Sequence, residues 1–172
     1  MIELYDETYL KKIELQKKRL LTVYFILLAV AVIAEAVVIF FNAYLPYGNE
    51  YKTLLQLVMY SVAIIFSVYS VLFFTITYGR VKTYYDFVDG IMVGNKKETP
   101  VTVIRLSREL TSGKIDGYTL AVLEWSDAEN DFVERTINVD NEKEIPDFEK
   151  GEIITVATCS NYLYSYSRSQ NR

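Results

Sequence analysis

Two stretches decide the architecture: Leu20–Phe41, LLTVYFILLAVAVIAEAVVIFF, and Leu54–Tyr78, LLQLVMYSVAIIFSVYSVLFFTITY. The first runs 22 residues with one charge, Glu35, and the second 25 residues with none. A bilayer core of about 30 Å needs roughly 20 helical residues, so both are long enough to cross it. Neither alternates as a strand does. A chain of 172 residues has too little else to wrap two such helices on every side, which argues against buried core helices. Lys17, Lys18 and Arg19 ahead of the first run, with Ala34-Glu35-Ala36 inside it, have the form of a cleaved leader. The apolar run continues through Val37, Val38, Ile39, Phe40 and Phe41, however, and cleavage would leave a hydrophobic stub, so an uncleaved anchor is expected.

Outward from these runs, Lys and Arg set the orientation. Lys11, Lys12, Lys17, Lys18 and Arg19 precede the first, only Lys52 lies between them, and Arg80 and Lys82 follow the second. Both termini are therefore expected in the cytoplasm, with a short external turn at Pro46-Tyr47-Gly48-Asn49. Tyr44, Tyr47 and Tyr51 suit the outer interface, and Tyr78, Tyr84 and Tyr85 the inner one. Ile2, Tyr5, Tyr9, Ile13 and Leu20 fall near helical spacing, so residues 1–19 read as a juxtamembrane helix whose basic residues serve as a topology signal or contact anionic lipid.

Steps of four and three predict the faces of the hairpin. On the first span they select Tyr24, Leu28, Ala31, Glu35, Val38 and Asn42; on the second, Gln56, Tyr60, Ala63, Ser67, Ser70, Phe74 and Thr77. Helices in lipid associate through small residues and interhelical hydrogen bonds, so these stripes are the expected contact, within the chain or between copies. Glu35 is the single ionisable group in the apolar runs, and an acid at mid-membrane must face protein or water. The expectation is a protonated Glu35 hydrogen-bonded to Tyr60 or Ser61, locking the hairpin; a proton or ion relay is the functional alternative.

After Tyr78 the chain changes character. Residues 79–172 carry 12 basic and 16 acidic side chains, which gives no footprint for nucleic acid. Short β-rich runs appear at Val101–Leu106, Tyr118–Trp125, Phe132–Val139, Ile153–Cys159 and Tyr162–Tyr166, with Phe87–Val93 a possible further strand. Turn signals at Gly94-Asn95, Ser112-Gly113, Asp116-Gly117, Asn130-Asp131, Asn141 and Gly151 separate them. Strands at this spacing predict a small antiparallel barrel or sandwich. The expected organisation is a juxtamembrane helix over 1–19, spans over 20–43 and 54–78, a connector over 44–53, a linker with a possible first strand over 79–98, and a cytosolic β-domain over 99–172. The fold class is thus membrane α + β: a two-helix transmembrane hairpin followed by a small β-barrel or sandwich.

The composition narrows the chemistry. With no His and one Cys, Cys-His and Ser-His dyads, the usual zinc sites and a disulfide framework are all excluded. Cys159 lies in a predicted strand and reads as a small buried hydrophobe. Ser107, Ser112, Ser160 and Ser165 have no visible base, and Lys96 and Lys114 lack the glycine spacing of a phosphate loop. Glu124, Asp127, Glu129, Asp131 and Glu134 cluster about one turn; they read as a solvated hairpin tip, or alternatively as oxygen ligands for a hard cation. No catalytic, cofactor or metal site is expected, and no enzyme.

In Ile145-Pro146-Asp147-Phe148-Glu149-Lys150-Gly151-Glu152-Ile153, Pro and Gly fix a tight turn and Phe148 plugs the end of a barrel. Here the chain resembles bacterial two-helix membrane proteins of the NfeD type, which carry a small OB or SH3-like barrel. The resemblance implies that layout and carries over no functional residue. Two functions follow. One is a multi-pass, non-enzymatic cell-membrane protein that tethers a cytosolic β-domain to the inner leaflet for protein interaction or self-association, with Tyr162, Tyr164 and Tyr166 as the contact edge. The other is a ligand-sensing effector whose barrel binds a nucleotide-like ligand and whose hairpin oligomerises, similar in outline to two-helix bacterial immune effectors. An aliphatic-filled barrel would argue against the second.

Overall fold

The computed structural model describes residues 1–111 and 115–168; the expected Ser112-Gly113 turn and Lys114 lie outside them. Two compact units divide the chain, Lys12–Thr83 and the rest, Met1–Lys11 with the residues from Tyr84 onward.

The helical unit follows from its two apolar runs. Helix α1 spans Glu7–Tyr44 and helix α2 spans Glu50–Leu72. Between them, the Asn49 N–H donates to Pro46 O at 3.3 Å, and Gly48 takes a φ of +89°, the left-handed conformation glycine tolerates. Asn49 then caps α2, its Oδ1 accepting the Tyr51 N–H at 2.9 Å. The second helix therefore starts four residues before the expected Leu54. A π-helical segment, Phe73–Tyr78, follows α2 and leads into α3, Gly79–Val93. Both long helices are apolar enough to cross a membrane, and only 6 % of either candidate span is buried within the protein.

In the other unit the chain opens with a short strand, β1, Ile2–Glu3, rather than with a helix. Asp6 then starts α1, its carboxylate accepting the Tyr9 N–H at 2.7 Å. The strands β2, Lys97–Thr111; β3, Gly117–Ser126; β4, Asp131–Asp140; β5, Ile153–Cys159; and β6, Tyr162–Arg168 form a closed mixed barrel. The long β2 pairs antiparallel with β5 through Lys97–Thr102 and with β3 from Val101 onward, its register shifting between Val103 and Arg105. Strand β4 pairs with β3, and β6 with β5. Closure is parallel, through Asn138 opposite Tyr162, with the Asn138 N–H donating to Asn161 O at 2.8 Å. Beyond that contact β1 takes over the β6 edge, placing Ile2 opposite Tyr166 and Glu3 opposite Ser165.

Alternation fills the interior. Val101, Val103, Leu120, Val122, Ile137, Val139, Ile154, Val156 and Leu163 all point inward and form one core. As expected, Phe148 plugs one end, edge-to-face on Tyr166 at 5.4 Å, with Ile145 beside it. The Gly151 N–H donates to Val103 O at 2.8 Å from a φ of +86°, which docks the plug loop onto β2. The β5–β6 turn uses Ser160 and Asn161, both left-handed as a type I′ turn requires.

Phe87–Val93 is helical, not a strand. Phe87, Val88 and Ile91 are buried at helical spacing, so this segment lays one face on the barrel unit.

Candidate functional site

In the helical unit the contact face of α1 is the predicted one. Tyr24, Leu28, Ala31, Glu35, Val38 and Asn42 are buried or half-buried, and every residue between them is exposed. The face of α2 is not the predicted one. Lys52, Leu55, Met59, Val62, Phe66, Ser70 and Phe73 turn inward, one residue round from the small and polar stripe. Of that stripe Ser70 is in the contact and Phe74, though exposed, meets the Tyr24 ring; Gln56, Tyr60, Ala63, Ser67 and Thr77 are exposed, as is Ser61. The reason lies in Tyr24. Its ring stacks on Phe73 at 4.9 Å and meets Phe74 at 4.8 Å and Phe66 at 6.1 Å, and its hydroxyl donates to Ser70 Oγ at 3.0 Å. Packed rings gain more dispersion than a ridge of small residues does.

The Glu35 lock is therefore absent. The Tyr60 side chain points away at 61 % exposure, and the Ser61 hydroxyl donates to Leu57 O at 2.8 Å in its own helix. Glu35 instead lines a groove of about 410 Å³ with Ala31, Val62, Ala63, Phe66 and Ser67. Its Oε1, like Asn42 Oδ1, is buried without a hydrogen-bond partner.

In the barrel unit the tyrosine edge is covered, contrary to expectation. Tyr164 and Tyr166 are buried and Tyr162 is half-buried. Tyr164 stacks on Tyr5 at 6.4 Å, and Tyr162 meets Phe87 edge-on at 4.7 Å. The amino-terminal residues and α3 occupy the face that alternation left open. Behind them, Asp140, 1 % exposed, accepts from the Tyr5 hydroxyl at 3.2 Å, the Tyr84 hydroxyl at 2.5 Å and the Glu142 N–H at 2.9 Å. Burial first, and the Asp140 carboxylate second, hold the Tyr5 and Tyr84 phenols far above their ordinary range.

What the barrel leaves exposed is the β3–β4 hairpin tip. Trp125 and Phe132 sit opposite each other, rings edge-to-face at 5.2 Å, with 46 % and 59 % of their surfaces in solvent. The Trp125 Nε1–H donates to Asp127 Oδ1 at 2.9 Å, which fixes the ring. A shallow cleft of about 440 Å³ runs from Trp125 to Lys97, Glu124 and Arg135. Lys97 Nζ donates to one Glu124 oxygen at 2.6 Å and Arg135 Nη1 to the other at 2.7 Å. Arg135 also donates to Asn161 Oδ1 at 2.8 Å and Thr158 Oγ1 at 3.3 Å, so it ties β4 to the β5–β6 turn where the barrel closes. Burial would raise the Glu124 carboxyl, but the hydrogen bonds from Lys97 and Arg135 outweigh it and hold the group below its ordinary value.

By sequence this tip is an acidic turn, and its aromatic pair emerges in the fold. The signal was present: one outward-facing aromatic at each side of a turn marked by Asn130, which takes a φ of +53°. Among the described residues no three acidic or cysteine side chains converge as a metal site. Cys159 is buried against Gly94, where a Cβ would come within 2.5 Å of its sulfur. Lys96 donates to Met92 O at 2.9 Å and covers the Tyr164 ring, so it serves the end of α3. No protein-family model, curated protein or solved structure matches the chain.

Proposed function

We propose that this protein is a non-enzymatic, two-span membrane protein that holds its β-barrel at the cytoplasmic leaflet, where the hairpin tip around Trp125 and Phe132 engages another protein. The observation that carries the reading is the pairing of Ile2 and Glu3 with Tyr166 and Ser165. A chain whose first residues complete the wall of its own carboxy-terminal barrel has both on one side of a bilayer, which requires an even number of crossings. The two apolar helices supply two. The excess of Lys and Arg flanking them over the single Lys52 between them favours the cytoplasmic side.

The aliphatic interior supports tethering over ligand sensing, because Leu120, Val122, Ile137 and Ile154 fill the volume a nucleotide would need. The strand order supports an OB-type barrel, in keeping with the NfeD-type layout that the sequence resembles. At the tip, Trp and Phe offer anchor area with little side-chain entropy to lose.

Cysteine labelling on intact cells tests the topology. In a Cys159→Ser background, Tyr47→Cys takes up an impermeant maleimide and Glu109→Cys does so only after lysis; label on Glu109→Cys in intact cells overturns the orientation. A mild-detergent pull-down with mass spectrometry tests the tip. A partner retained by the wild type and lost by Trp125→Ala/Phe132→Ala supports the reading, and a partner retained equally by both overturns it.

A further inference from the structure

The chain carries unmet hydrogen-bond acceptors and unused donors at matching depths. Among the described residues Glu35 Oε1 and Asn42 Oδ1, both on the inward face of α1, are buried without a partner. One residue round α2 from its packed face, Gln56 and Tyr60 point outward, without a hydrogen bond among the described residues. Glu35 lies level with Val62 and Ala63, with which it shares the groove. At about 1.5 Å per residue, Tyr60 is within one helical turn of that level. Lys52 Nζ donates to Leu45 O, which sets the same register near the connector and brings Gln56 within one turn of Asn42.

We infer that the hairpin pairs with a second copy of itself, the outward face of α2 in one copy, Gln56, Tyr60, Ala63 and Ser67, seated on the Glu35 groove of the other. The inference rests on the membrane reading above. Copies inserted with one topology share a depth axis, so a donor at the level of Glu35 in one chain stands at that level in its neighbour. Hydrocarbon offers no water to satisfy either set. Both sets belong to this chain, which makes a second copy the complementary occupant. Ala31, Ala63 and Ser67 are short enough to let the backbones approach. The Glu35–Tyr60 contact read from the sequence within one hairpin then forms between two.

The test uses the full-length protein in native membranes, in a Cys159→Ser background. Oxidation should cross-link Ala63→Cys and Ser67→Cys into dimers and leave Ile33→Cys, on the opposite side of α1, monomeric. Fluorescence transfer between differently labelled copies in lipid vesicles gives the association constant. Tyr60→Phe should weaken it about threefold, Glu35→Leu by a similar factor, and the double variant no more than either single one, while Glu35→Gln keeps the wild-type value. Since Tyr60 is exposed in the single chain, its loss leaves folding intact.

Absence of cross-links at positions 63 and 67 in protein that stays in carbonate-washed membranes overturns the inference and spares the membrane reading. So do equal cross-linking at position 33, additive effects of the two variants, or a different protein or a lipid found at the groove. Release of the protein by the carbonate wash overturns the membrane reading itself.

Discussion

The two units bury opposite things. The barrel encloses its aliphatic residues, with Leu120, Val122, Ile137 and Ile154 at 0 % exposure, and buries Asp140 and Glu124 only with hydrogen-bond donors on them. The helices turn Phe25, Ile33, Ile64 and Val71 outward and keep Glu35 and Asn42 within their contact. In the barrel, removal of apolar area from water supplies the stability. In the helices, on the membrane reading proposed above, that term is absent and ring stacking around Tyr24 with a Tyr24–Ser70 hydrogen bond takes its place.

Truncation breaks this contrast most sharply. Leu120→Ala leaves a cavity in a filled barrel and should cost about 2–5 kcal/mol in denaturant unfolding of the protein, the largest effect expected. Arg135→Ala comes next. It strips Glu124 of one cation and unties β4 from the β5–β6 turn, at about 1.5–3 kcal/mol. Because Glu124 has a depressed folded value, its contribution is present above the unfolded carboxylate range and is lost as the pH falls through the folded one. Acid unfolding of Arg135→Ala should therefore follow a flatter pH dependence in that window than the wild type.

Tyr5→Phe removes one donor to Asp140 and should cost about 1–2 kcal/mol at neutral pH. The sign reverses its importance in alkali. A phenol raised in the folded state stabilises fully below the unfolded value of about 10 and loses that contribution as the pH climbs past it. Wild-type stability should then fall more steeply above that point than Tyr5→Phe stability, by about 1.4 kcal/mol per pH unit for the one phenol. A parallel pair of curves would show that Tyr5 ionises in place. The smallest effect belongs to the exposed side of α2: Ile64→Ala, as large a truncation as many in the core, should move stability in detergent by no more than about 0.5 kcal/mol. A cost comparable with Leu120→Ala would mean that this face is buried by something and would erase the contrast.

The sequence by itself determined the features that depend on local period. These are the two apolar helices, four of the barrel strands to within two residues and the middle of β2, the Phe148 plug, and the α1 face from Tyr24 to Asn42. Each is set by how side chains project from one helix or strand, so the period alone places them. Tertiary structure alone decided which neighbour won where several would serve. It turned α2 by one residue, because rings around Tyr24 outcompete a small-residue ridge. It covered Tyr162 and Tyr164 with Tyr5 and Phe87, made Phe87–Val93 helical because its spaced apolar residues had a surface to meet, and left Trp125 and Phe132 bare. Those outcomes compare contact energies between segments distant in the chain, and a window read along one segment does not contain the competitor.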